Sequence, residues 1–178
     1  LLRGGGGVLQ EDASLYPALK ARGVRVEATR RGVKLGREAM WGLLVLAVED
    51  VLKGGGTPAL PTGVSLLKAR PVRRHYIFRV EAEDGIYIYS VLRVRGDWTA
   101  MGGKVTEMGC ASLWHSEERV AEAHAEAVNE ELAGCISEGR CRRKEAKPAP
   151  DGRAWYFRLN KADLEELTDK PRLGDPRR

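Results

Sequence analysis

Apolar residues recur at two periods along this chain, and the switches between them mark out its elements. Alternation over residues 24–29 predicts a short strand, Arg30-Arg31-Gly32 a turn, and residues 33–35 its returning partner. Residues 37–53, REAMWGLLVLAVEDVLK, are apolar over most of a helical circumference and stop at Gly54-Gly55-Gly56, Pro58 and Pro61. That pattern predicts a central helix. Strands follow over 64–69, 75–82 and 86–95, and another over 98–105 crosses Gly102-Gly103. Residues 110–115 yield no assignment. Ser116 then caps a predicted helix over 117–134, with Glu117 and Glu118 in its first turn and Gly134 at its exit. Residues 135–152 are basic, contain proline and lack a period, which predicts a loop or linker. Residues 155–159 read as a strand, Asn160 caps a short helix to Leu167, and a polar tail follows.

The fold class expected from this order is α+β, a mainly antiparallel sheet packed on the apolar helix 37–53 and on a second, acidic helix 117–134. Residues 1–23 form a Gly-rich lead, partly disordered, residues 24–168 a single domain, and residues 169–178 a tail.

The hairpin over 75–95 allows its register to be argued. A loop of Asp84-Gly85 alone sets Phe78 on one face with Tyr89 and Arg93, leaving neither face cleanly apolar. A three-residue loop, Glu83-Asp84-Gly85 with Gly85 left-handed, puts Tyr76, Phe78, Val80 and Ala82 on one face with Ile86, Ile88, Leu92 and Val94. That register buries the apolar set. It leaves His75, Ile77, Arg79 and Glu81 facing outward beside Tyr87, Tyr89, Arg93 and Arg95, with Arg79 opposite Tyr89.

Composition narrows the function classes. With 43% hydrophobic and 31% charged residues over 178 positions, the chain falls in the ordinary globular range. Its longest apolar run, residues 43–48, is far short of the roughly 20 residues that cross a bilayer as a helix. The start has neither the apolar stretch nor the cleavage site of a secretory signal, and it lacks an initiator Met. Three cysteines, an odd number, point to a reducing compartment, by default the cytoplasm. Gln10 is the only Gln, and Asn129 and Asn160 are the only Asn residues; such scarcity of thermolabile amides suggests a hot-living source.

The net charge of +5 is unevenly spread. Bases gather at Lys20, Arg22, Arg25, Arg30, Arg31 and Lys34, at Lys68, Arg70, Arg73, Arg74 and Arg79, and at Arg140, Arg142, Arg143, Lys144 and Lys147. Residues 105–136 carry one base and seven acids, a stretch that repels phosphate. Within it Glu118, Glu122, Glu126 and Glu130 stack at four-residue spacing, which suits a solvated surface face that needs no partner, or else a basic neighbour, either the 140–147 run folding back or a partner chain.

No catalytic centre assembles from these residues. Cys110, Cys135, Cys141, His115 and His124 lack the paired spacing of a zinc site. Met101-Gly102-Gly103-Lys104 is followed by Val105, so it lacks the hydroxyl residue that completes a phosphate loop. A helix ending in acids before a Gly-rich exit is similar to the LAGLIDADG endonucleases, which implies Asp50 as a metal-binding acid. Val51, Leu52 and Lys53 intervene before the glycines and depart from that pattern.

Across whole segments, VKLGREAMWGLLVLAVEDVL, HYIFRVEAEDGIYIY, WTAMGGK and WYFRLNKADLEEL, the chain resembles the PaRep family, paralogous repeat-family proteins of hyperthermophilic crenarchaea. The likeness covers about residues 24–168 and implies a lineage-restricted family without an established activity, with many decayed copies. It carries no catalytic or binding residues with it. Residues 105–118 and 135–150 depart from the family's texture.

The expected function is therefore a basic, non-enzymatic module, without metal or cofactor, binding single-stranded nucleic acid through His75, Arg79, Tyr87, Tyr89, Arg93 and Arg95. Aromatic rings flanked by Arg on an open sheet stack bases and hold phosphates. The alternatives are an interaction or structural module that self-associates through helix 117–134, a decayed paralogue, and a metal-dependent nuclease remnant using Asp50.

Overall fold

A computed structural model describes residues 63–82 and 84–168, and, as backbone alone, Leu2–Arg3, Gly7–Gln10, Val26–Thr29 and Gly32–Leu35. The helix expected over 37–53, and Asp50 with it, lies outside the described residues. The fold is α+β and mainly sheet. The four backbone strands, β1 to β4 in the order just given, form one antiparallel sheet ordered β1-β2-β4-β3. The expected hairpin is there, with Thr29 paired to Gly32 and Val26 to Leu35.

A second, antiparallel sheet has seven strands. They are β5 (Val64–Arg70), β6 (His75–Ala82), β7 (Gly85–Val94), β8 (Asp97–Lys104), β9 (Ala111–His115), β10 (Lys147–Pro148) and β11 (Trp155–Leu159), in the order β10-β11-β9-β8-β7-β6-β5. The helices of the described residues are α1 (Glu118–Glu131), α2 (Ala133–Ser137) and α3 (Lys161–Thr168). By its contacts the chain forms two compact units, Leu1–Ala100 and Met101–Arg178.

In the first unit the hairpin β6–β7 closes at Ala82↔Gly85 and pairs Phe78 with Tyr89 and Arg79 with Ile88. This corrects the expected register. Tyr76, Phe78 and Val80 share a face with Tyr87, Tyr89 and Val91, while His75, Ile77 and Arg79 share the other with Ile88, Ser90 and Leu92. The reason is that both faces are covered. Tyr76, Phe78, Val80, Tyr87 and Val91 are buried on one side, and His75, Ile77, Ile88, Ser90 and Leu92 on the other. A strand buried on both faces reads as a near-continuous apolar run, so alternation stops reporting its register. The buried polar pair on the second face is matched, His75 Nε2 lying 2.9 Å from Ser90 Oγ. Burial, with the charges of Arg70 and Arg73, pulls the His75 imidazole from 6.5 down to about 3. The β7–β8 turn runs through Arg95 and Gly96 at φ 54° and 89°, the pair of positive angles that two-residue hairpin turns favour.

In the second unit β9 and β11 alternate as half-buried strands do. Ala111, Leu113, Phe157 and Leu159 point inward, while Trp114 and Arg158 are exposed. Helix α1 packs on both strands with Val120, Ala121, Ala125 and Val128 buried, and its small alanines let it lie close to the sheet. Its start differs from expectation. Glu117, not Ser116, is the N-cap residue, and the Glu117 N–H donates to His115 Nδ1 at 3.0 Å. Gly134 does not end the helical run but lies within α2, and the chain turns at Gly139, φ 81°.

The Gly102-Gly103 pair sits inside strand β8, not in a phosphate loop. A Cβ on Gly103 would fall 1.9 Å from the Ser112 carbonyl oxygen, so only glycine allows the two backbones to approach this closely.

Candidate nucleic-acid interface

The six residues expected to form one binding face do not come together. Tyr87, Tyr89 and Arg93 lie on one face of the hairpin, His75 and Arg79 on the other, and Arg95 is in the turn. His75 and Tyr87 are buried. The Tyr87 hydroxyl donates to Asp84 Oδ2 at 2.7 Å, and the Tyr87 and Tyr89 rings stack on each other with centroids 6.5 Å apart. Arg93 places its guanidinium 5.9 Å from the Trp98 ring centre rather than beside a tyrosine, and Arg79 pairs with Glu81 at 3.2 Å. With two of the rings against each other and a histidine enclosed, this hairpin offers no open row of aromatics for a base.

An aromatic platform of that kind exists in the second unit instead. Tyr156 on β11 pairs with Trp114 on β9, and Lys147 on β10 pairs with Tyr156. Paired residues share a face, so Lys147, Tyr156 and Trp114 form one row across three strands, with Arg158 and Ser112 beside them as the next pair. The two rings stack at 4.5 Å with 28° between their planes, and Trp114 is 44% exposed. Tyr156 covers part of the indole and leaves the remainder to solvent.

This row forms the floor of a groove of about 550 Å³. Residues 142–145 also line it, and the exposed cations among its lining are Arg142, Arg143, Lys147 and Arg158. Glu145 is the acid among the lining residues, and Ser112 and Asn160 add neutral polar groups.

Residues 138–146 act as a strap between α2 and β10, where the sequence predicts a loop or linker. Its fixtures are tertiary. Cys135 and Cys141 are joined by a disulfide, and the Arg140 and Cys141 N–H groups both donate to the Cys135 carbonyl at 3.0 and 3.2 Å. Two cysteines bonded to each other are not thiolate ligands for a metal, and the odd cysteine count no longer argues for a reducing compartment; Cys110 stays free and half-buried. Farther along, Asn129 Nδ2 donates to the Lys144 carbonyl at 3.0 Å and Asn129 Oδ1 accepts from the Lys144 N–H at 2.7 Å. The Lys144 ammonium is buried 2.5 Å from Asp163 Oδ2, which also accepts the Asn160 N–H at 2.6 Å at the start of α3. Arg143 reaches Glu126 at 3.0 Å, so one member of the acidic stripe of α1 meets the basic run within the chain, where the sequence favours a solvated face without a partner.

Sequence reasoning marked the basic run but missed both rings. The alternation in Ala111–His115 and Trp155–Leu159 was the available signal, with Trp114 and Tyr156 at matching outward positions. Among the described residues, no helix is long and apolar enough to cross a membrane. No family model, curated protein or solved structure matches the chain.

Proposed function

We propose that this chain is a non-catalytic module that binds single-stranded nucleic acid in the groove between the Trp114–Tyr156 platform and the 138–146 strap. The observation that carries the reading is the half-exposed Trp114 ring, backed by Tyr156 and set among Arg142, Arg143, Lys147 and Arg158. Stacking a base on such a ring contributes about 1–3 kcal/mol, and the cations neutralise phosphates on either side. A base within a duplex has no free face to offer, which favours single strands. Self-association through α1 is the second reading. The Arg143–Glu126 pair favours the first, because it supplies the acidic stripe with a cation inside the chain.

Fluorescence anisotropy with a labelled oligothymidylate at low salt tests this. Three or four phosphate contacts predict a slope of about −2 to −3 in log affinity against log salt. Trp114→Ala should weaken binding roughly 5- to 150-fold, Trp114→Phe should keep most of it, and Arg93→Ala on the hairpin should leave it unchanged. Binding that is absent, insensitive to salt, or indifferent to Trp114→Ala disproves the proposal.

A further inference from the structure

We propose that the Cys135–Cys141 disulfide sets the affinity of this groove: closed, it holds the strap in its binding shape, and opened by a dithiol it lets the strap loosen. The inference rests on the single-strand reading above and concerns how that site is regulated. Cys141 directly precedes Arg142, Arg143 and Lys144, which line the groove. The strap has an anchor at each end of this basic segment. One is the disulfide; the other is Lys144, held by Asn129 and Asp163. Arg142 and Arg143 lie between the two anchors and are exposed.

Opening the disulfide leaves the first end held by two N–H groups sharing the Cys135 carbonyl and by the Arg140–Glu166 and Arg143–Glu126 pairs, which are solvent-exposed and contribute little. The backbone that carries Arg142 and Arg143 must then be ordered at the moment of binding rather than beforehand, which weakens binding without removing any contact. The step balances with a dithiol as reductant. Its thiolate attacks one sulfur to give a mixed disulfide, and its second thiol displaces the protein sulfur. Cys135 and Cys141 take up two electrons and two protons, and the dithiol becomes a disulfide. Both cysteines are buried, so the reductant gains access as the strap opens. An oligonucleotide that holds the strap closed must therefore also protect the bond. By linkage, the factor by which reduction lowers affinity is the factor by which bound oligonucleotide disfavours reduction.

The test is anisotropy with the same labelled oligothymidylate on full-length protein, oxidised and dithiothreitol-reduced, thiol titration verifying each state. Reduction should weaken binding roughly five- to tenfold, the size expected when a short backbone segment loses its preordering. A Cys135→Ser/Cys141→Ser variant should match the reduced protein and ignore dithiothreitol. Saturating oligonucleotide should shift the disulfide to a more negative potential, by about 30 mV for a tenfold effect. Hydrogen exchange supplies a readout independent of the variant: amides of 140–146 should lose protection on reduction while those of β9 and β11 keep theirs. Equal binding in the two redox states overturns this inference and leaves the single-strand reading standing. Absence of binding in both overturns the two together. Loss of protection throughout the second unit overturns it as well, because the bond would then be holding the whole unit and not the strap.

Discussion

Replacing Lys144 by Met removes a buried charge from a site built around two. The Lys144 and Asp163 side chains are 4% and 1% exposed, and Asp163 Oδ1 has no hydrogen-bond partner among the described residues. Without the ammonium, the carboxylate stays buried with the Asn160 N–H donating to Oδ2 at 2.6 Å. Breaking a buried pair in this way costs about 3–5 kcal/mol, against the 5–15 kcal/mol of a typical domain. For a unit of this size the thermal midpoint should fall by about 12 °C or more. The double variant Lys144→Met/Asp163→Leu removes both charges and should recover most of that loss, stopping about 1 kcal/mol short because the Asn160 N–H loses its acceptor. Urea unfolding followed by circular dichroism, run as a double-mutant cycle, measures all three species. A single variant within 1 kcal/mol of the parent, or a double variant no more stable than the single, would refute the reasoning.

Two further outcomes follow from single positions. Gly103→Ala places a methyl 1.9 Å from the Ser112 carbonyl oxygen and should destabilise by about 2 kcal/mol or more, whereas Gly134→Ala, with open space around it inside α2, should stabilise by about 0.5–1 kcal/mol; thermal melts of the pair test the contrast. His75 is neutral in the folded protein down to about pH 3, while in the unfolded chain it protonates near 6.5. The unfolded state thus binds the extra proton between those values. Stability is full above pH 6.5 and falls with pH through the window, by up to about 1.4 kcal/mol per pH unit. A His75 ring resonance that titrates near 6.5 in the folded protein would refute this.

Much of the architecture was legible because local period carried it. The strands of 75–95, β8 across its two glycines, β11, α1 and α3 all lie close to where their patterns place them. What local pattern cannot report is coverage. The hairpin register was misjudged because one face was assumed open, and with Ile77 and Ile88 as buried as Phe78 and Val80, apolar content no longer separates the alternatives. Residues 135–152 read as a loop or linker because Lys144 is fixed by Asn129 and Asp163, distant in sequence, and neither those contacts nor the short Cys135–Cys141 disulfide leaves a periodic trace. The proposed groove needed the β9–β11 pairing to bring Trp114 against Tyr156.

Gly103 reaches beyond the stability of one contact. Side chains alternate sides along β9, so a slip of β9 by one residue would withdraw Trp114 to the helix side and push Leu113 out in its place. The touch between Gly103 and the Ser112 carbonyl penalises that slip in one direction: a one-residue shift that puts Lys104 there brings a side chain to the spot where no Cβ fits, whereas the opposite shift brings only Gly102. A residue outside the groove would thereby help set which side chain of β9 faces the solvent, and substitutions at Gly103 should yield chains with Trp114 withdrawn as well as weakened ones.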